Sequence, residues 1–433
     1  MRRWLVVALV LLGAACSAPD KDRPNIVFIL VDDMNERLLP YLPRLQQMLA
    51  AKGMSFEMEV PTPVCAPSRA SMLTGRYAHN TLVKTNGVWA GGIWALRGGH
   101  NEERTFAVWL QKAGYKTGLF GKYVNGHDGK EVDVPQGWDR WVSYSKVTFP
   151  RTDIEVIENG GATHPVPKQY DTDFFAQQVA DWIGTVQQPF LAVWTPMSPH
   201  GPFVSPVRHR GRFDDVQFKW PPSFSADVAE VEKLTRTRLE MMLGLEDNIA
   251  SIIATLEKRG ILDNTYIVFT TDHGLFMGEH GFPAGKGEPY EETTRVPVFV
   301  RGPGVPVGRN DDLIASIDLA PTFAEIAGAK VPADLDGRSI LPLFHAKDLE
   351  KPRKRFLLEW FDPYGKILWQ GLRTPTRKYV RYADGTCKNF ALDSDPYEMN
   401  SLACDDAFAK ESAQYIDKLG NCVGPACAAA DSE

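Results

Sequence analysis
Residues 26–34 read IVFILVDDM. Six apolar residues in a row run straight into Asp32 and Asp33, so polar groups appear only where the run ends. A strand that is apolar on both faces belongs to a sheet covered on both sides, the pattern of a parallel sheet between helices. Similar runs follow at 117–120, 190–194, 266–270 and 298–300. Between them, 235–259 places Leu239, Met242, Leu245, Ile249, Ile252 and Leu256 close to a 3.6-residue period and stops at Gly260. That spacing predicts an amphipathic covering helix. The expected fold is therefore α/β, with a large, mostly parallel sheet between helices.

Four of these runs lead directly into unusual polar residues. Asp32 and Asp33 follow the first, Lys122 the second, His200 the third after a Pro-bearing turn, and Asp272 with His273 the fourth. Ligand sites in open α/β sheets lie beyond the carboxyl ends of the strands. These distant segments are thus expected to meet in one cleft, with the Pro-, Arg- and aromatic-rich stretch 201–225 as a long loop at its rim.

A chain of 433 residues with 44% hydrophobic content can bury a large core. We read one large domain over 23–345 and a smaller part over 350–433, divided by the charged stretch HAKDLEKPRKR at 345–355. Short strand-like runs at 356–360, 378–382 and 389–392 predict a small antiparallel sheet beyond that boundary. The net charge of −6 and the absence of a polybasic run exclude a nucleic-acid partner.

Residues 1–16 read as an export signal: Arg2 and Arg3, an apolar run over 4–12, then Gly13, Ala14 and Ala15 before Cys16. The run is too short to span a bilayer. LLGAAC also fits a lipobox, with Cys16 as a lipidated mature N-terminus, and plain cleavage is the alternative. The expected location is the periplasm or a membrane-anchored lipoprotein, with secretion as the alternative. Cys387, Cys404, Cys422 and Cys427 fall in the last 50 residues and suggest two disulfides in an oxidising compartment. Pairing 387 with 404 and 422 with 427 is the local choice among three connectivities.

The run CAPSRASMLTGR at 65–76 matches the pattern C-x-P-S-R-x-S-x-x-T-G at every fixed position. With GYKTGLFGKYVNG at 114–126, SPHGPF at 198–203, TTDHG at 270–274 and GKGEPYEETTRVPVFVRGPG at 285–304, the chain resembles the formylglycine-dependent sulfatases. RTFAVWL at 104–110 and GKYVNG are most similar to the branch holding N-acetylglucosamine-6-sulfatase and the heparan endosulfatases. The resemblance implies an alkaline-phosphatase-like sandwich with a small C-terminal antiparallel subdomain. The implied activity is sulfuric ester hydrolysis on a sulfated carbohydrate, at the 6-O-sulfate of glucosamine-type sugars. An aryl sulfatase, a phosphonate or phosphate monoester hydrolase of the same superfamily, and a glycan-binding protein without turnover are the competing readings.

Such hydrolysis needs a nucleophile at sulfur, neutralisation of the sulfuryl oxygens and a proton for the leaving alcohol. The resemblance implies that Cys65 is oxidised to formylglycine by a maturation enzyme. One hydroxyl of its hydrate would attack sulfur, and the other would then lose its proton to expel sulfate. Pro67 suits the first turn of a helix, which puts Cys65 at an N-terminus favourable to anions. Arg69, one turn along, reaches back to the nucleophile. Asp32, Asp33 and Asp272 would repel one another without a cation between them, and oxygen-rich ligation favours Ca2+ or Mg2+. The family implies Ca2+, with His273 as a further ligand beside Cys65. By the same resemblance Lys122 binds a sulfate oxygen, and His200 and Lys286 bind near the leaving oxygen, either one able to donate the proton. Many sulfatases carry a histidine shortly after the Lys122 position. Tyr123, Val124 and Asn125 stand here instead, with Asn125 expected to take over its hydrogen bond. The Trp-rich stretch 89–94 and Trp220 are candidates for stacking on sugar rings, against core packing as the alternative.

Overall fold
The apolar run that opens the chain becomes the middle of an 11-stranded sheet. The structure, a computed structural model, describes residues 23–126, 133–146 and 151–433. The leader over 1–16, including Cys16, lies outside the described residues.

In chain order the strands are β1 (Asn25–Val31), β2 (Met54–Glu59), β3 (Lys116–Gly121), β4 (Arg140–Lys146), β5 (Asp153–Glu158), β6 (His164–Pro167), β7 (Phe190–Thr195), β8 (Thr265–Thr271) and β9 (Arg295–Arg301), then two-residue β10 (Gly308–Arg309) and β11 (Ile314–Ala315). Their spatial order is β10-β2-β9-β8-β1-β7-β3-β4-β5-β6, and β11 also pairs with β2. The block β8-β1-β7-β3-β4 is parallel throughout. The run at 298–300 corrects the sequence reading, because β9 lies antiparallel to both β8 and β2. The chain leaves β8 at its carboxyl end, and the excursion 272–294 returns to that same end, so β9 must run backwards. Its five inner residues are buried all the same: a run apolar on both faces reports burial, not direction.

Residues of β1 alternate between two cores, as the period of a strand requires. Ile26, Phe28 and Leu30 pack with the helices Cys65–Thr74, Phe106–Lys112 and Leu319–Ala327. Val27, Ile29 and Val31 pack with Asp171–Thr185 and Val228–Lys258. Each such side chain stabilises the fold by about 1.5–3 kcal/mol. The last of these helices starts earlier than its apolar period predicts. Asp227 caps it by accepting from Ala229 N and Glu230 N, and the exposed first turns carry no stripe to read.

The C-terminal sheet runs β12 (Phe356–Phe361), β13 (Ile367–Arg373), β14 (Arg377–Tyr382) and β15 (Cys387–Ala391), all antiparallel neighbours. β13 was not expected, because Gly371 breaks its alternation. A Cβ there would stand 3.1 Å from Tyr379 O, so the close approach of β14 accounts for the glycine. Cys387 pairs with Cys404 and Cys422 with Cys427, the local arrangement. This sheet reaches the excursion between β8 and β9 through Trp369, whose Nε1 donates to Gly287 O at 2.8 Å, and reaches β2 through Arg373, 3.4 Å from Glu59.

Candidate active site
Strand register brings the first acids together. β1 and β8 pair Val31 with Thr271, so the next residues, Asp32 and Asp272, emerge side by side. Asp272 N donates to Val31 O at 3.1 Å. Asp33 takes a left-handed φ of 64°, which turns its amide onto Asp272 Oδ1 at 3.2 Å. Asp32, Asp33, Asp272 and His273 are all buried.

The helix Cys65–Thr74 starts at the nucleophile candidate and stops at Gly75, whose φ of 69° is left-handed. Val64 at its N-cap offers no side-chain bond, and Asn86 does so instead, accepting from Ala66 N at 2.8 Å. Ser68 Oγ donates to Asp272 O at 2.5 Å. One turn from Cys65, the buried Arg69 reaches Asp272 Oδ2 at 2.9 Å, Asp32 Oδ2 at 3.3 Å and Lys122 O at 2.9 Å. Around Cys65 Sγ stand Lys286 Nζ at 3.2 Å, His273 Nε2 at 3.4 Å and Asp32 Oδ1 at 3.7 Å. Lys122 Nζ donates to Asp32 at 2.5 Å and Lys286 Nζ to Asp33 at 2.7 Å. His200 Nε2 lies 3.5 Å from Asp33 Oδ2 and is 33% exposed, on the open side. Asp32, Asp33, Cys65, Arg69, Lys122, His200, Asp272, His273 and Lys286 thus meet in one cluster.

Asp32 repels Asp33, but neighbouring cations outweigh that repulsion. Burial alone would raise Asp32, yet Lys122 and Arg69 hold it well below the usual carboxylate range. Asp33 is lowered against its burial by His273 and Lys286. Burial and Lys286 would lower His273, but Asp272, Cys65 and Asp33 push it up to about 9. Lys286 is raised against burial by Cys65 and Asp33. The three acids Asp32, Asp33 and Asp272 face the three bases Arg69, Lys122 and Lys286 as well as His273, so charge balance does not itself demand a metal. The donor set still fits one. Single ligand atoms of Asp32, Cys65, Asp272 and His273 lie within 4.8 Å of one another, as do those of Asp32, Asp33, Cys65 and His200. Each set offers two carboxylate oxygens, one imidazole nitrogen and the sulfur of Cys65, and it is the carboxylates that suit a hard divalent cation.

Two partners of the site were missed. Arg238, fully buried, donates through Nη2 to Asp33 O. It occupies the apolar stripe of its helix, between Thr235 and Met242, and a charge on that stripe was the available signal. Asn86 gave none. Trp220, a candidate for stacking on sugar, stacks instead on Phe224 at 4.4 Å beneath Arg37. Two further histidines stand in other contacts: His79 pairs with Glu359 at 3.0 Å and His280 stacks on Tyr290 at 3.8 Å. Asn125 Oδ1 is buried without a hydrogen-bond partner among the described residues.

Fold and pocket define an alkaline-phosphatase-like α/β protein with a nucleophile position enclosed by acids and bases. The chain belongs to the sulfatase family, whose model matches residues 24–329, and a second model, N-sulphoglucosamine sulphohydrolase C-terminal, matches 278–423. It is 32% identical over 396 residues to a putative extracellular sulfatase Sulf-1 homolog of Caenorhabditis elegans, covering 82% of this chain and 54% of that one. With N-acetylglucosamine-6-sulfatase of Capra hircus it shares 30% identity over 488 residues, covering 96% and 87%. The chain therefore spans about half the length of the first relative and most of the second. Among solved structures, BT4656 in complex with its substrate D-glucosamine-2-N,6-O-disulfate superposes with a TM-score of 0.79 at 24% identity, covering 91% and 97%.

Proposed function
We propose that this protein is an exported sulfuric ester hydrolase that removes 6-O-sulfate from glucosamine-type sugars. In this reading residue 65 acts as formylglycine, made by a separate maturation enzyme, and Asp32, Asp33, Asp272 and His273 hold Ca2+ beside it. The observation that carries the reading is the enclosure of Cys65 by Lys286, His273, Asp32 and Arg69 within hydrogen-bonding or ion-pairing reach of one another. The substrate class is supported by the relatives named N-acetylglucosamine-6-sulfatase, and export by those named extracellular sulfatases.

Formylglycine hydrate would supply a hydroxyl to attack sulfur and a second one able to release sulfate. Bound Ca2+ would supply Lewis-acid polarisation and two positive charges. Because the three acids cancel Arg69, Lys122 and Lys286, those two charges match one on a sulfate monoester and one on an ionised nucleophile. Arg69 fixes Asp272 and Asp32 and orients the nucleophile's helix. Lys122 and Lys286, on opposite sides of the acids, bracket the sulfuryl oxygens. Lys286 is already paired with Asp33 at 2.7 Å. His200, on the open side 3.5 Å from Asp33, is placed to reach the leaving oxygen and is assigned as the proton donor.

The test compares inorganic sulfate release from N-acetylglucosamine 6-sulfate with phosphate release from the 6-phosphate, using protein with residue 65 converted. Faster sulfate release is expected. Preference for the phosphate ester would overturn the reading.

A further inference from the structure
The loop 84–92 folds back on itself. Lys84 and Thr85 donate their amides to Ala90 O at 2.9 and 3.2 Å, and Gly92 donates to Thr85 O at 3.0 Å. Asn86, on its inner side, is the residue that accepts from Ala66 N, one position past Cys65. On its outer side Val88 is 55% and Trp89 79% exposed. Three residues separate Trp89 from Asn86, so their Cα atoms lie at most about 11 Å apart.

Against this loop packs the turn between β12 and β13. Lys84 Nζ donates to Gly365 O at 3.4 Å, and a Cβ on Gly365 would stand 3.0 Å from Ala90 Cβ. Tyr364, next to Gly365, is 74% exposed. Trp89 and Tyr364 are thus each one residue from the same contact, although they belong to segments far apart in the chain. Neither ring gains from burial in the fold, and two exposed aromatics flanking one contact, on the loop that also caps the helix of Cys65, offer a binding surface.

We propose that Trp89 and Tyr364 form a platform on which a pyranose ring of the glycan substrate stacks, which rests on the sulfatase reading above. A pyranose presents apolar C–H groups on its faces and its hydroxyls at the edge, and the C–H groups suit the negative face of an aromatic ring. Trp and Tyr also offer large contact area at low conformational cost. The charged pocket recognises a sulfate ester of any alcohol. The platform adds recognition of the sugar, at a place set by the Asn86 bond to the nucleophile's helix.

The test is calorimetric binding of a 6-O-sulfated, glucosamine-containing tetrasaccharide to the full chain carrying Cys65→Ala, alone and combined with further changes. Trp89→Ala and Tyr364→Ala are each expected to weaken binding about tenfold, equivalent to about 1.4 kcal/mol. Trp89→Phe keeps a stacking face and should lose far less, and Val207→Ala, exposed elsewhere on the surface, should lose nothing. Inorganic sulfate, which has no ring to stack, should bind all of them equally. Undiminished binding in both alanine variants, or equal loss in Trp89→Phe and Trp89→Ala, overturns the platform. So does a dimer on gel filtration that Trp89→Ala dissociates, because the occupant would then be a second copy. If Trp89→Ala lowers the melting temperature, Tyr364→Ala on the separate turn decides. Binding is measured without turnover, so failure here is distinguishable from failure of the sulfatase reading, which is judged by ester hydrolysis in converted protein.

Discussion

Replacing Arg238 by methionine separates the stability of the fold from the working of the pocket. The guanidinium is fully buried on the sheet-facing stripe of Val228–Lys258. Nη2 donates to the Asp33 carbonyl, but Nε and Nη1 have no hydrogen-bond partner among the described residues. Burial lowers its pKa to about 10, against the opposing pull of Asp33 and Glu279. A fall of that size means that folding costs the charged form about 3 kcal/mol. Methionine has a similar length and no charge, so Arg238→Met removes that cost. It also strips the Asp33 carbonyl of its donor, a loss of about 1–3 kcal/mol. The two effects nearly cancel, and the unfolding free energy in urea is expected to stay within about 2 kcal/mol of wild type. Turnover is not expected to be spared. Asp33 holds a left-handed φ of 64°, and loosening the backbone that carries a carboxylate proposed as a metal ligand typically costs about 10–100-fold in activity. Urea unfolding and p-nitrophenyl sulfate hydrolysis on one preparation read both quantities. A loss above about 4 kcal/mol, the size seen when a buried charge pair is broken, would refute the reasoning. So would wild-type turnover at unchanged stability.

Cys65→Ala should abolish turnover and leave the unfolding midpoint in place; normal hydrolysis in that variant would exclude residue 65 as the nucleophile. Treatment with a calcium chelator should lower both turnover and melting temperature, and added Ca2+ should restore them, whereas indifference to the chelator counts against the metal assignment. Gly287→Ala is expected to displace the neighbouring Lys286, since φ is +110° and the new Cβ would stand 2.5 Å from Trp360. The strain of about 2–4 kcal/mol should appear as a loss of kcat/KM of tenfold or more, and kinetics within twofold of wild type would contradict it. Burial and the adjacent Glu291 push Glu59 up to about 8, with Arg373 and Lys378 pulling the other way. An acid raised on folding gives its stability below its unfolded pKa and loses it as pH rises through the folded one. Wild type should therefore weaken between about pH 5 and 8 and Glu59→Gln should flatten that fall, as melting temperatures across the range will show.

The sequence made the centre of the pocket legible because strand ends are local features. IVFILVDDM and TTDHG each announce an apolar strand followed by an acid, and parallel pairing of β1 with β8 does the rest. The nucleophile's helix was legible from Pro67 and the spacing to Arg69. The direction of β9 was not, because periodicity reports which faces are buried and says nothing of the path between strands. Nor was the role of Lys122, Lys286 and Arg69 in neutralising the acids. Lys122 and Lys286 were read as groups for sulfate and Arg69 as a group for the nucleophile, whereas their side-chain partners lie far away in the chain and emerge only on folding. Arg238 carried a faint signal as a charge on an apolar stripe. Asn86, which caps a helix from a separate loop, carried none.

The account rests on an oxidised side chain at position 65. It is tested most directly by measuring, on preparations matured to different extents, the p-nitrophenyl sulfate hydrolysis rate and the mass of the peptide that holds that residue. We expect the rate to rise in proportion to the fraction of peptide lighter than the cysteine form by roughly 18 Da. Full activity in a preparation whose peptide keeps the unmodified cysteine mass would contradict it.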